Sequence, residues 1–433
     1  MNTAAYARDR LEECLARIDD PAGEGARTFL SLYPEEAREA ADAADARARG
    51  GNRLGPLDGV IVSIKDLFDV AGKTTRAGSA ALHDELPARI DAPVVERLRN
   101  GGAVIVGKTN MSEFAFTGVG ANPHYGTPGN PADRDRVPGG SSSGAAVSVA
   151  DDMCEIAIGT DTGGSTRIPA ALCGVVGYKP TKERVPTAGA FPLSRTLDSV
   201  GPLARTVQAC AEADAALAGE PSWPLEPAEL SGLRLGIPQG LPLEELDSGV
   251  ASRFEMALDR MARAGAHLQD RTFALFDDMA RVQSVATIAT VEAYHLHRER
   301  IEARGDAYDP IIRRRIETGS AVSPQDYAAM LEERRDLARA MDSQLGDLDA
   351  LVLPTTPIVP PTMSEIEDPR QFNEKNRLLL RNTAIANFFD LCAISLPMAS
   401  AGELPAGLML FARRGEDRRL FTIAASIEQL LDR

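Results

Sequence analysis

The sequence is poor in cysteine and histidine, the residues that bind zinc and related metal ions or, in the case of cysteine, form covalent cross-links. Its 433 residues include five cysteines and five histidines. The cysteines lie far apart and form no C-x-x-C pair, so neither a disulfide framework nor a zinc knuckle is expected. The histidines are scattered along the chain as well. We therefore predict buried free thiols and no metal site.

Positively charged residues are outnumbered by negatively charged ones, and long apolar runs are absent from the sequence. Lysine and arginine total 47 against 63 aspartates and glutamates, giving a formal net charge of -16 at pH 7. This balance disfavours a nucleic acid or an anionic membrane as a direct partner. No run of about 18 apolar residues occurs, and the charged start MNTAAYARDR is unlike a signal peptide. The expected location is cytoplasmic.

Apolar, β-branched segments alternate with helical segments along most of the chain. Helices are predicted at residues 3–18, 34–49 and 91–102. Strands are predicted within residues 59–70, 103–110, 155–160, 232–238, 348–357, 392–398 and 406–412. This alternation is typical of α/β proteins and predicts a large mixed, mostly parallel central sheet covered by helices.

The segment 219–232 is rich in proline and glycine and is the best candidate for an internal linker. We expect it to separate two halves of one sheet rather than two domains. The prediction is therefore a single α/β/α domain over residues 1–433. It comprises an N-terminal helical cap (1–50), a core (51–215), and the remainder of the sheet with pocket helices (232–433).

Two glycine- and serine-rich segments carry chemical signals. The first, PGGSSSG at residues 138–144, formally contains the nucleophile elbow G-x-S-x-G, but a charged, proline-rich segment precedes it where an elbow needs a strand. The second, GTDTGGSTRIP at residues 159–169, has the glycine spacing of a phosphate-binding loop, yet Ser165 stands at the lysine position. Taken alone, each segment could also be a glycine turn whose serines cap a helix.

Lys65 ends the apolar strand that precedes both segments. A serine hydroxyl is a poor nucleophile until a base removes its proton, and no histidine follows in a plausible triad arrangement. A lysine kept neutral by burial is the remaining candidate base, although a strand-end lysine can also be solvent-exposed. Backbone N–H groups near Gly163 and Gly164 could stabilise an oxyanion. Together these features favour amide hydrolysis.

The order of these motifs resembles the amidase signature family. The resemblance rests on SIKD (63–66), PGGSSSG (138–144), GTDTGGSTRIPA (159–170) and CGVVGYKPT (173–181). It is most specific over residues 50–215 and extends more loosely over nearly the whole chain. It implies a single α/β/α domain around a large mixed sheet, hydrolysis of the C–N bond of a small-molecule amide, and no cofactor or metal.

The resemblance also implies roles for individual residues. Ser165 would be the nucleophile that forms an acyl-enzyme, Ser141 the bridging serine after a cis bond from Gly140, and Lys65 the base. The oxyanion hole would be formed by the backbone amides of Thr162, Gly163, Gly164 and Ser165. Supporting roles fall to Ser142, through a hydrogen bond to Lys65, and to Asp161 and Arg167. An exposed loop arginine is the alternative for Arg167.

Several questions stay open at the level of sequence. The same fold could serve as the glutamine-hydrolysing subunit of a tRNA-dependent amidotransferase, or as a scaffold that has lost the reaction. Neither the particular amide nor a homodimer can be deduced. Within residues 285–330, Tyr294, His295 and Tyr308 are candidate pocket contacts, with packing as the alternative role.

Overall fold

One sheet of 11 strands runs through the computed structural model, which describes residues 6–398 and 402–431. The strands are β1 Phe29–Leu32, β2 Ile61–Lys65, β3 Val104–Thr109, β4 Ile156–Asp161, β5 Val176–Lys179, β6 Ser199–Ala204, β7 Arg234–Pro238, β8 His267–Arg271, β9 Ala350–Pro354, β10 Cys392–Pro397 and β11 Gly407–Ala412. Their order across the sheet is β1-β3-β2-β4-β6-β5-β10-β11-β9-β7-β8.

The predicted α/β class with a large mixed sheet is confirmed, but the expectation of mostly parallel pairing is wrong. Within the described ranges, β2 is parallel to β3 and β4, and β7 is parallel to β8 and β9. The remaining pairings, including β4–β6, β5–β6 and β10–β11, are antiparallel. Sequence alternation predicts that helices connect strands, but it does not fix the direction in which each strand enters the sheet.

The strands near the site are apolar because both of their faces are buried. In β2, Ile61 packs into one hydrophobic cluster, whereas Val62 and Ile64 pack into another on the opposite face. Strands covered on both sides lack polar alternation and are therefore easy to predict from sequence. The edge strand β8, HLQDR, is polar and partly exposed, and the sequence analysis did not predict it.

Helices cover the sheet. They are α1 Ala7–Asp19, α2 Gly25–Thr28, α3 Pro34–Arg49, α4 Pro93–Asn100, α5 Ser143–Ala150, α6 Arg167–Cys173, α7 Val207–Ala218, α8 Ser248–Arg263, α9 Leu275–Val282, α10 Ile288–Arg304, α11 Pro310–Glu317, α12 Pro324–Gln344, α13 Pro369–Arg381, α14 Thr383–Phe388 and α15 Asp417–Leu431. The three predicted helices correspond to α1, α3 and α4, although residues 3–5 lie outside the described residues. Across the described ranges, none of these helices has the length and apolar character to span a membrane.

The sheet brings the predicted motifs to one edge. Because β2 and β4 are parallel neighbours, Lys65 at the end of β2 and Asp161 at the end of β4 lie on the same side. The serine-containing segments lead directly into α5 and α6. Residues that are distant in sequence thereby meet at the carboxyl ends of two central strands.

The last helix is attached to the sheet by an aromatic contact that can be tested. The ring of Phe421 is fully buried and lies 4.2 Å, centroid to centroid, from that of Tyr178 on β5. We expect Phe421→Ala to lower the free energy of unfolding by about 3–5 kcal/mol, because it removes buried apolar surface and leaves a cavity. Urea denaturation measures this loss. Arg419→Ala, on the exposed side of the same helix, should change it by less than about 1 kcal/mol, and an equal effect of both variants would contradict the packing.

Candidate active site

The amine of Lys65 lies in a polar cluster that is closed to solvent. Lys65 is fully buried, and its Nζ donates hydrogen bonds to Oγ of Ser141 at 2.7 Å and to Oγ1 of Thr160 at 2.9 Å. Burial lowers the pKa of Lys65 to about 7, although the negative charges of Asp198 and Asp161 oppose that shift. Removal from water disfavours the charged form of an amine. A substantial fraction of Lys65 is therefore uncharged near neutral pH.

Backbone contacts bring the two serine-containing segments together. The Gly140–Ser141 peptide bond is cis, as expected from the sequence. The N–H of Ser142 donates to the carbonyl oxygen of Ser165 at 3.3 Å. Within the described residues, no hydrogen bond joins the hydroxyl groups of Ser141 and Ser165.

The expected hydrogen bond between Ser142 and Lys65 is wrong. The hydroxyl of Ser142 is directed at the backbone carbonyl of Thr160, with an oxygen–oxygen distance of 3.4 Å. The second hydroxyl partner of the amine is the side chain of Thr160 itself. Thr160, and not Ser142, is therefore the second hydrogen-bond partner of the Lys65 amine.

Asp161 and Arg167 form a buried ion pair beneath the second serine-containing segment. Both side chains are inaccessible to solvent, so the alternative of an exposed loop arginine is wrong. Nε and Nη2 of Arg167 donate to the two carboxylate oxygens of Asp161 at 3.0 and 2.8 Å, and Nδ2 of Asn387 donates to Oδ1 at 2.8 Å. Burial alone would raise the pKa of Asp161, but the Arg167 charge and these hydrogen bonds hold it well below its usual range.

The turn between β4 and α6 carries Ser165 and requires glycine at one position. Gly164 has a φ of +135°, and a Cβ atom there would lie 2.1 Å from Oγ1 of Thr383. The same Thr383 hydroxyl donates to the carbonyl of Gly163 at 2.6 Å and fixes the turn. Among the described residues, the N–H groups of Gly163, Gly164 and Ser165 donate to no acceptor. They are therefore free to bind an oxygen atom of a ligand.

The remaining residue of this turn, Thr162, is held by a second acidic residue. Its Oγ1 donates to Oδ1 of Asp198 at 2.6 Å, and Asp198 also accepts from the N–H groups of Leu193 and Ser194. Burial raises the pKa of Asp198, although these hydrogen bonds oppose the shift. Asp198 thus connects the turn to the segment that precedes β6.

Two adjoining cavities meet at this turn. The smaller, of about 120 Å³, is bounded by Thr162, Gly163 and Ser165 and otherwise mainly by apolar side chains. The larger, of about 760 Å³, reaches Thr160, Thr162 and Asp198. Ser165 therefore faces the smaller cavity, which is suited to hold the reacting part of a ligand.

The three pocket candidates from residues 285–330 line neither cavity. Tyr308 is buried, and its hydroxyl lies 3.0 Å from Nδ1 of His297. Tyr294 and His295 contact each other edge to face. The region instead contributes Thr287, Ala289, Arg300 and Arg315 to the cavity walls.

Several residues of the site were not found by sequence reasoning. Thr160 lies inside the GTDTGGS motif, one residue before Asp161, so it could have been considered as a partner of Lys65. Asn387 lies 220 residues from Arg167, and no motif or spacing points to it. The same holds for Asp198 and Arg315, which reach the site through tertiary structure alone.

Comparison with known proteins gives a consistent result. A model of the Amidase family matches residues 9–421. The 2-amino-5-chloromuconic acid deaminase of Comamonas testosteroni is 36% identical over 441 residues, covering 99% of this chain and 95% of the relative. A component of the glutamyl-tRNA(Gln) amidotransferase of Anaeromyxobacter dehalogenans is 37% identical over 468 residues, covering 99% and 94%. A crystal structure of an amidase superposes with a TM-score of 0.88 at 32% identity, covering 98% and 96% of the two chains.

The fold and these matches together identify the protein as a hydrolase that acts on the carbon–nitrogen bonds of amides. The chain belongs to the amidase signature family, as its sequence motifs suggest.

The buried ion pair generates a prediction about stability. Asp161→Asn leaves the Arg167 guanidinium buried without its counter-charge, and we expect the free energy of unfolding to fall by about 3–5 kcal/mol. Chemical denaturation at neutral pH measures the change. Asp152→Asn removes the partner of Arg205 in an exposed ion pair and should cost no more than about 1 kcal/mol. Equal losses in the two variants would contradict the role of burial.

Proposed function

We propose that this protein is an amidase that hydrolyses a carboxamide to a carboxylate and ammonia or an amine. In this proposal Ser165 is the nucleophile, Ser141 the bridging serine and Lys65 the base. The observation that carries the proposal is the contact of 2.7 Å between the buried amine of Lys65 and the hydroxyl of Ser141. A lysine whose pKa is about 7 can act as a general base at neutral pH.

The proposed reaction moves one proton along the three side chains. Uncharged Lys65 takes the proton of the Ser141 hydroxyl, and Ser141 takes that of Ser165 as its Oγ attacks the carbonyl carbon. When the tetrahedral intermediate collapses, the same path returns the proton to the departing nitrogen, so the C–N bond breaks and an acyl-enzyme remains on Ser165. Water then attacks the ester carbon and gives a proton to the same path, which passes it to Oγ of Ser165 as the acyl–Oγ bond breaks, so that the carboxylic acid is released and the free serine is regenerated.

The negative charge of the intermediate falls on the former carbonyl oxygen. We propose that the backbone N–H groups of Thr162, Gly163, Gly164 and Ser165 stabilise it. The absence of other acceptors for the N–H groups of the last three, among the described residues, supports this assignment. Preorganised donors of this kind contribute strongly because they need no rearrangement during the reaction. Asp161 and Arg167 would support the turn from below without touching the substrate.

The second candidate function is glutamine hydrolysis within a tRNA-dependent amidotransferase. The 37% identity to a component of such an enzyme over nearly the whole chain favours it. A protein of this kind is expected to depend on its partners for full activity. Ammonia release by the purified chain alone, tested on glutamine and on malonamate, indoleacetamide and biuret-type compounds, separates the two functions. Efficient release from a simple amide but not from glutamine would support the independent amidase.

The proposed roles predict the effects of three substitutions on ammonia release. Ser165→Ala should abolish turnover because no acyl-enzyme can form. Lys65→Ala should nearly abolish it, and Ser141→Ala should lower kcat by about three or more orders of magnitude, because each interrupts proton transfer.

Ser143→Ala is the matched control. Ser143 is a buried serine of the same segment, and its hydroxyl has no hydrogen-bond partner within the described residues. This variant should keep turnover within about twofold of the parent. A Lys65→Ala enzyme that remains active across neutral pH would remove the proposed base. Mass spectrometry of the rapidly quenched reaction should detect the acyl group on Ser165.

The lowered pKa of Lys65 predicts a pH dependence. The uncharged amine is the active form and predominates above its pKa of about 7. We therefore expect kcat/KM to increase tenfold per pH unit below about pH 7 and to level off above it, because kcat/KM follows ionisation of the free enzyme. A steady-state profile between about pH 5.5 and 9 tests this. The prediction would be contradicted if kcat/KM did not rise with pH on approaching about pH 7, or if it fell as the pH rose through 7.

A further inference from the structure

The smaller cavity contains a positive charge that the proposed reaction does not use. Arg315, on α11, lines this cavity together with Ser165. The residue is half-buried, and its Nε atom is closed to solvent and has no hydrogen-bond partner within the described residues. Burial lowers the pKa of Arg315 to about 10. The guanidinium therefore stays charged at neutral pH.

Other enclosed arginines of the protein have carboxylate partners. Arg167 is paired with Asp161, and Arg334 is paired with Asp390. For Arg315 no ion pair with a carboxylate occurs among the described residues, and the centroid of the Phe116 ring lies 4.9 Å from the guanidinium carbon. A ring face attracts a cation but accepts no conventional hydrogen bond from the buried Nε–H. Leaving a buried donor unsatisfied is costly, so a ligand that accepts from Nε would be favoured.

The remainder of the cavity wall is neutral. Among the described residues it has no acidic side chain, and its apolar part is formed by Ala115, Phe116, Leu193, Leu197, Ala289, Leu380, Ala384 and Phe388. The other polar groups that line it in this part of the chain are uncharged hydroxyl, amide and backbone groups. A cavity with one arginine in an apolar surround selects an anion, and the planar guanidinium fork matches a carboxylate in geometry.

We propose that Arg315 binds a carboxylate group of the substrate, so that the substrate is a short amide whose acyl part carries a second, anionic end. This inference rests on the proposed function, because it places the amide carbon at Ser165 and the carboxylate at Arg315 in the same cavity. The space of about 120 Å³ that Ser165 and Arg315 both line suits a short acyl chain.

The test compares amides that differ in charge but not in size. Ammonia release is measured for malonamate, succinamate and glutaramate, each against the corresponding uncharged diamide. The parent enzyme should prefer at least one acid amide over its diamide by about 100-fold in kcat/KM, as expected when a charged hydrogen bond to an enclosed group is lost. Arg315→Gln should remove this preference, mainly by raising KM for the acid amides.

Two further variants separate recognition from folding. Arg314→Gln changes the exposed neighbour on the same helix and should retain the preference for acid amides. Arg315→Lys keeps the charge without the planar fork and should recover part of the preference. Because Arg315→Gln removes a half-buried charge that has no counter-charge among the described residues, its thermal midpoint should equal or exceed that of the parent.

A binding measurement keeps this inference independent of catalysis. Calorimetry with malonate, succinate and glutarate should detect at least one dicarboxylate on Ser165→Ala protein and lose it on the Ser165→Ala, Arg315→Gln double variant. Activity that survives Ser165→Ala would overturn the proposed function while leaving this measurement valid. The inference about Arg315 is overturned if none of the dicarboxylates binds, if binding survives Arg315→Gln, or if acid amides and diamides lose turnover equally.

Discussion

The proposed chemistry of this site depends on a single buried contact, that of the Lys65 amine with the hydroxyl of Ser141. A charged amine is disfavoured away from water unless an anion compensates it. Here the two partners of Nζ are hydroxyl groups, and the carboxylates of Asp161 and Asp198 act only from a distance. The environment therefore favours the uncharged amine without removing the groups that hold it in position.

A second lysine shows why burial at the end of a strand is not sufficient to make a lysine a candidate base. Lys108, near the end of β3, is also fully buried, and its pKa is also lowered by burial. Its Nζ donates to the carbonyl of Thr74 and the hydroxyl of Thr75, and it lies 3.9 Å from a carboxylate oxygen of Asp66. Within the described residues, its Nζ has no serine hydroxyl as a hydrogen-bond partner. What distinguishes Lys65 is its contact with Ser141, which belongs to a segment distant in sequence that the fold places against the amine.

The sequence predicts those parts of the structure that depend on local pattern. Strands β2, β3 and β4 could be predicted because burial on both faces leaves continuous apolar runs, whereas the polar edge strand β8 could not. Strand direction was predicted incorrectly because it depends on topology. The approach of Ser141 to Lys65 was expected from the family motifs. The exchange of Ser142 for Thr160 as a partner of the amine depends on side-chain direction, which no motif encodes.

The distribution of charge around Ser165 links reaction and recognition. Asp161 compensates Arg167, and Lys65 is largely uncharged above neutral pH, so the reacting side of the site carries little net charge. An anionic substrate bound near Lys65 without compensation would raise the pKa of the amine and favour the charged form, which is inactive in the proposed reaction. A fixed cation at Arg315 would cancel that effect by holding the anion in a tight pair. In the proposed mechanism, Arg315 would therefore do more than select the substrate, because it would also preserve the uncharged state of the proposed base while the substrate is bound.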